Sequence, residues 1–211
     1  MKKNISSLQC VLTVVSVVAI LLSNLVVNKQ IGLPFGIVVS GGLYIFPISY
    51  ILSDVFSEVY GYKWSRFTCY LTFALNLFMV VIFYLVLKSP SAECFTNQQA
   101  FEIVLGNTPR ILVASLIAYV LGDFVNDIIF HKMKQQAVEG KGFKTRAFMS
   151  SVFGGLVDTS VFGLIAFLGV LSIKDIIIMN IAETILKLVY ELAILPVTHK
   201  AVQIIKKWEE Q

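Results

Sequence analysis

Residues Phe46 to Arg66 read FPISYILSDVFSEVYGYKWSR, an apolar run that passes through Pro47 and ends in carboxylates, tyrosines and a basic pair. Asp54 and Glu58 are four residues apart, so a helix stacks both carboxylates on one face, and Gly61 then stops the helix or turns it sharply. This places a two-carboxylate edge where an apolar segment meets water. An ordinary charged helix end uses the same residue types, but the proline and the Tyr60-Gly61 pair argue for more than that.

The chain on either side of this stretch is too apolar for a soluble domain. Of its 211 residues 57% are hydrophobic and only 14% charged, and the mean hydropathy is +0.81. A water-exposed surface needs far more charge. Lys2 and Lys3 lead into an apolar run from Cys10 to Val27 with no small-residue cleavage site before Asn28 and Lys29, so that run is expected to stay as a helix. Six segments are long enough for a hydrocarbon core of about 30 Å: 8 to 27, 36 to 56, 66 to 88, 109 to 131, 147 to 171 and 175 to 198. Twelve Lys and Arg residues fall with the amino terminus, the second and fourth loops and the carboxyl tail, against four in the other loops, which puts both termini in the cytoplasm. The expected fold is an all-α integral membrane protein, a six-transmembrane-helix bundle forming a single transporter domain over residues 1–211. Cys10, Cys69 and Cys94 are odd in number and imply no disulfide framework. The net charge of +4 is not laid out as a basic stripe with interleaved aromatics, so no nucleic-acid partner is expected, and no cofactor or metal motif occurs.

Asp54, Glu58, Tyr60 and Gly61 spell D-x-x-x-E-x-Y-G behind Phe46-Pro47, and with this motif the chain resembles the queuosine-precursor transporter family, the YhhQ type grouped with vitamin uptake transporters. The resemblance runs through most of the chain. It implies import of 7-deazaguanine bases such as preQ0, preQ1 or queuine across the cell membrane, and it marks Asp54, Glu58 and Tyr60 as candidate substrate-binding residues. Further candidates come from the same source. Asn24, five residues before Lys29, matches a polar pair at the end of the first helix. Arg110 and Ser115 match an Arg and a Ser at the start of the fourth. Asp123 and Asn126 stand where the family usually has Gln and Asp three apart, which changes the position that ionises. Asp158-Thr159 match an Asp-Thr pair, with Gly155 in place of the preceding Gln, and Lys187 followed by Pro196 matches the sixth helix.

The residues themselves carry part of this reading. Charged groups inside a span cost several kcal/mol unless paired or wetted, so Asp123 and Asp127, with Asn126 between them, are functional candidates by default. Glu183, Lys187 and Glu191 follow one another at four-residue steps, the spacing of an internal ion-pair ladder. Laying GDFVNDIIF (Gly122 to Phe130) over GGLVDTSVF (Gly154 to Phe162) aligns Gly, Val and Phe and puts Asn126 on Asp158, a weak repeat whose copies would run in opposite directions across the membrane. Gly41, Gly42 and Pro47 predict either a broken second helix beside a binding site or close helix packing. The loop from Lys88 to Thr108 has the length and polarity of a surface helix or a lid.

Carboxylates outnumber cations in the bundle interior, which suits a solute rich in N–H donors or the carriage of protons. A small-molecule transporter driven by an ion gradient is the expected class, with a homodimer as an assembly open to so small a bundle. A substrate-capture subunit of an ATP-driven vitamin transporter is the alternative, although the A-x-x-x-A docking pattern of such subunits is absent. An intramembrane aspartyl protease would use Asp123 and Asp158, but Val120 occupies the first Gly position of its G-x-G-D motif and no Pro-Ala-Leu tripeptide occurs.

Overall fold

The computed structural model describes residues 5–135 and 143–209. Its elements are α1 (Ser7–Val26), a two-stranded sheet of β1 (Gln30–Gly32) and β2 (Val38–Ser40), α2 (Phe46–Val55), α3 (Tyr62–Lys88), α4 (Gln98–Leu105), α5 (Thr108–Gln135), α6 (Phe143–Phe167) and α7 (Ile173–Glu209). This is an all-α membrane protein. Four helical stretches among the described residues are long and apolar enough to cross a bilayer: Ser7–Val26, Tyr62–Lys88, Gln98–Asn126, which takes in α4 and much of α5, and Met149–Phe167 within α6. α7 has the length, at 37 residues, but carries Glu183, Lys187 and Glu191 in its middle.

The second expected span, 36 to 56, is not one helix. It divides into β2, a 3₁₀ turn over Gly41–Tyr44 and the ten-residue α2, which at 1.5 Å per residue rises only about 15 Å. The break has a local cause. Gly41 N donates to Lys29 O at 2.8 Å, and a Cβ at Gly41 would stand 2.3 Å from Val26 O, so only glycine lets the chain press against the end of α1. Pro47 then sits in the first turn of α2, where its missing N–H costs nothing, and starts the helix rather than interrupting one. The second segment is therefore broken, and Gly41 packs closely against the end of α1. After α2 a π turn over Phe56–Tyr60 inserts one wide turn, and Gly61 ends it at φ +81, a conformation that favours glycine. The loop from Lys88 to Thr108 folds in part as α4, and of the basic loop 131–146 the residues 136–142 lie outside those described.

The chain forms two compact units. One comprises Met1–Gln30, Ser40–Thr108 and Val189–Gln211; the other comprises Ile31–Val39 and Pro109–Leu188. In the first unit α1 and α3 meet along their small and polar faces. Thr13, Ser16 and Ala19 are buried on α1, in agreement with their helical spacing, and Thr68, Thr72, Asn76 and Val80 form a stripe every fourth residue on α3. Outward face Val11, Val14, Val18, Leu77, Phe78 and Val81. Lipid solvates such side chains as well as a core does, so the helices associate through small residues and hydrogen bonds instead. Asn24 Nδ2 donates to Asn76 Oδ1 at 2.9 Å in the buried interface, and Trp64 Nε1 donates to Thr13 Oγ1 at 3.1 Å.

The last turns of α7 are tied down in the same unit. Glu209 Oε1 accepts from Tyr60 OH at 3.0 Å and from Ser6 Oγ at 2.5 Å, and Lys206 Nζ lies 3.6 Å from Glu58 Oε2. Ser6 also caps α1, its Oγ accepting from Gln9 N. Burial, followed by the bond to the Glu209 carboxylate, pushes the Tyr60 phenol up to about 12.

Two outcomes test this unit. Asn24→Leu strands Asn76 Oδ1, and a loss of about 1–2 kcal/mol is expected in unfolding measured in detergent, with the Asn24→Leu/Asn76→Leu double variant recovering part of it. A double variant no more stable than the single one would deny the coupling. For Tyr60, the raised pKa means that its stabilising contribution is complete below the unfolded value near 10 and disappears as pH rises from 10 to 12. Difference absorbance between wild type and Tyr60→Phe should place its ionisation well above that of the exposed tyrosines.

Candidate functional site

In the second unit α5 and α6 cross at Gly122 and Gly154, and the crossing is reciprocal. A Cβ at Gly122 would lie 2.9 Å from Gly154 O and 3.0 Å from Asp158 Cβ; a Cβ at Gly154 would lie 2.8 Å from Gly122 O and 2.9 Å from Asn126 Cβ. Gly122 thus faces Asp158 as Gly154 faces Asn126, the pattern of two antiparallel helices related by a local two-fold axis. The repeat read from sequence, with Gly122 on Gly154 and Asn126 on Asp158, is the same correspondence. Glycine at both positions removes the side chains that would hold the helices apart.

A cavity of about 240 Å³ opens over this crossing. Its lining falls into pairs separated by the repeat distance: Gly122 with Gly154, Asn126 with Asp158, Asp123 with Gly155, and Tyr119 with Ser151. Three sequence-predicted residues, Asp123, Asn126 and Asp158, therefore line one space. Tyr119 and Ser151 were not anticipated, although extending the repeat by one helical turn towards the amino terminus of each helix pairs their hydroxyls. Asn126 Oδ1 is buried with no hydrogen-bond partner among the described residues, an acceptor left for a ligand or water. The side chain of Asp127, one turn beyond Asp123, lies outside those described.

Lys187 stands behind the cavity wall. From α7 its Nζ donates to Thr159 Oγ1 at 2.9 Å and lies 3.9 Å from Asp158 Oδ2. Thr159 is buried, and the Asp158 side chain keeps 40% of its surface open. The bond to Thr159 fixes the ammonium where it can balance Asp158, while leaving that carboxylate free lone pairs towards the cavity. The four-residue spacing in α7 pointed to Glu183 and Glu191 as the partners of Lys187; the contact made across to α6 was not readable from that spacing.

Arg110 and Ser115 do not line the cavity. Arg110 Nε donates to Ile165 O at 2.6 Å and Nη2 to Leu168 O, so the guanidinium satisfies carbonyls at the carboxyl end of α6, where a cation is favoured. Ser115 is half-buried on α5, one turn before Tyr119. The other four candidates belong to the first unit. Asn24 is held by Asn76 inside the α1–α3 interface. Glu58 and Tyr60 contact the end of α7. Asp54 is exposed at the end of α2, within electrostatic reach of Glu58 and Glu191. Arg66 donates from Nε to Tyr62 OH at 3.0 Å and stacks on the same ring.

The family described as "Putative vitamin uptake transporter" matches residues 40–201, which takes in α2 to α6 and most of α7. A Bacillus subtilis (strain 168) protein named "Probable queuosine precursor transporter" is 25% identical over 183 residues, 87% of this chain and 80% of its own length. A Haemophilus influenzae (strain ATCC 51907 / DSM 11121 / KW20 / Rd) protein of the same name is 25% identical over 126 residues, 60% of this chain and 51% of its own. No solved structure matches. With apolar helices of spanning length and a family match over three-quarters of its residues, the chain belongs to the vitamin uptake transporter family and is a multi-pass cell-membrane transporter, not an enzyme.

Proposed function

We propose that this transporter imports queuosine precursors, 7-deazaguanine bases such as preQ0, preQ1 or queuine, and binds them in the cavity at the α5–α6 crossing. The observation that carries this reading is the convergence of Asp123, Asn126 and Asp158 on one space, with Lys187 held beside Asp158. A guanine-type edge presents adjacent N–H donors, which a carboxylate accepts in pairs, and a carbonyl that needs a donor such as the Asn126 amide. The Tyr119 ring offers a stacking surface. The names of the two relatives support the same substrate class.

In this proposal Asp158 is a fixed ligand acceptor rather than a proton carrier, because Lys187 stabilises its charge. The chain acts as one transporter domain with six membrane crossings, the broken second segment and α7 included, and with both termini in the cytoplasm. An ion gradient supplies the energy, and two copies can associate as a homodimer. Asp54 and Glu58 act at the cytoplasmic end together with Tyr60, Arg110 and Ser115 support α5, and Asn24 joins α1 to α3. The ATP-driven capture subunit is not favoured.

Cells unable to synthesise queuosine but expressing this protein are expected to recover queuosine-modified tRNA from a low external concentration of precursor, with recovery abolished when the ion gradient is dissipated. Equal recovery without the gene would remove the substrate assignment. Asp158→Asn is expected to weaken precursor binding in detergent by at least tenfold, and wild-type affinity in that variant would leave Asp158 with a role in energy coupling instead.

A further inference from the structure

The glycines of α5 and α6 fall into two kinds. At Gly122 and Gly154 the opposing backbone fills the space a side chain would need, and at Gly163 a Cβ would lie 2.0 Å from Asn180 Oδ1. Gly155 is different, because nothing lies within 4 Å of the position its Cβ would take. It sits in the middle of a 25-residue helix, where glycine is disfavoured relative to alanine, and its φ is not positive. Neither packing nor backbone conformation accounts for a glycine there. Its place in the cavity does. Gly155 lines the wall that opens over the crossing, and its mate across the local two-fold is Asp123. One helix presents a carboxylate at this position, and the other presents only a hydrogen atom.

We infer that Gly155 is a specificity-determining position that keeps open the part of the cavity receiving the bulkiest portion of the substrate. Asp123, Asn126 and Asp158 hold the polar edge of the base, and the five-membered ring with its substituent lies over Gly155. The site accordingly takes 7-deazaguanines with a large branched 7-substituent as well as those with a small one. This inference rests on the reading of the cavity as the substrate site.

The test compares binding of preQ0, which carries a linear nitrile, and queuine, which carries a cyclic amine-linked substituent, to purified wild type, Gly155→Ala and Gly155→Leu. Wild type is expected to bind both bases. Gly155→Leu should weaken queuine binding at least tenfold more than preQ0 binding. Gly155→Ala, which adds one methyl into open space and improves helix propensity, should melt at a higher temperature than wild type and shift the ratio in the same direction by a smaller factor. Equal loss for the two bases, or an unchanged ratio in both variants, would overturn the inference while leaving the substrate assignment intact. If wild type binds neither base, the substrate assignment itself fails and takes the inference with it.

Discussion

Two helices can approach until a carbonyl oxygen of one occupies the place of a side chain on the other only if that side chain is absent, and Gly122 and Gly154 meet this condition for α5 and α6. The arrangement of the cavity follows from the contact. Because the backbones nearly touch, the residues one turn away, Asn126 and Asp158, are brought to the edges of the same crossing, and those beside the glycines face a shared space. An alanine at either glycine would push a methyl into the opposing backbone and the polar side chains would part. The cavity is the empty margin of a close helix contact, so its shape is fixed by the contact and not by a loop.

The charges inside it obey the same economy. Lys187 approaches Asp158 from α7 while donating to Thr159, a buried hydroxyl beside that carboxylate in sequence. A lysine tethered in this way cannot swing freely, which limits how far it can screen Asp158 from a ligand. In the first unit the polar contacts serve assembly. Asn24 with Asn76 joins α1 to α3, and Glu209, near the carboxyl end, receives two hydroxyl donors, from Ser6 and Tyr60.

Much of this was legible in the residues. Apolar runs located α1, α3, α5 and α6, and a nine-residue repeat anticipated the crossing on which the cavity lies. Gly41, Gly42 and Pro47 raised a break in the second span, but hydropathy counts apolar residues without regard to their backbone and does not place it. Gly41 presses on Val26 O whether or not its neighbours are greasy, and that contact needs the fold to be seen. The pairing of Asn24 with Asn76 joins residues 52 apart and that of Tyr60 with Glu209 joins residues 149 apart, distances over which no local periodicity reports. Asp54, Glu58 and Tyr60 drew the eye through their density of chemistry, yet Glu58 and Tyr60 engage the carboxyl end of the chain. Arg110 was a candidate through the family resemblance, and its guanidinium meets the carbonyls at the end of α6 instead.

The local two-fold at the crossing bears on how relatives should be compared. When two positions are related by an axis through the site, moving a carboxylate from one to its mate changes which helix carries the charge but leaves a carboxylate facing the same space from an equivalent direction. Asp123 opposite Gly155, and Asn126 opposite Asp158, are such pairs. A column-by-column alignment scores an exchange between mates as two unrelated losses, although the ligand would meet the same set of groups. Relatives are therefore to be compared at this site by the summed content of mates as well as column by column.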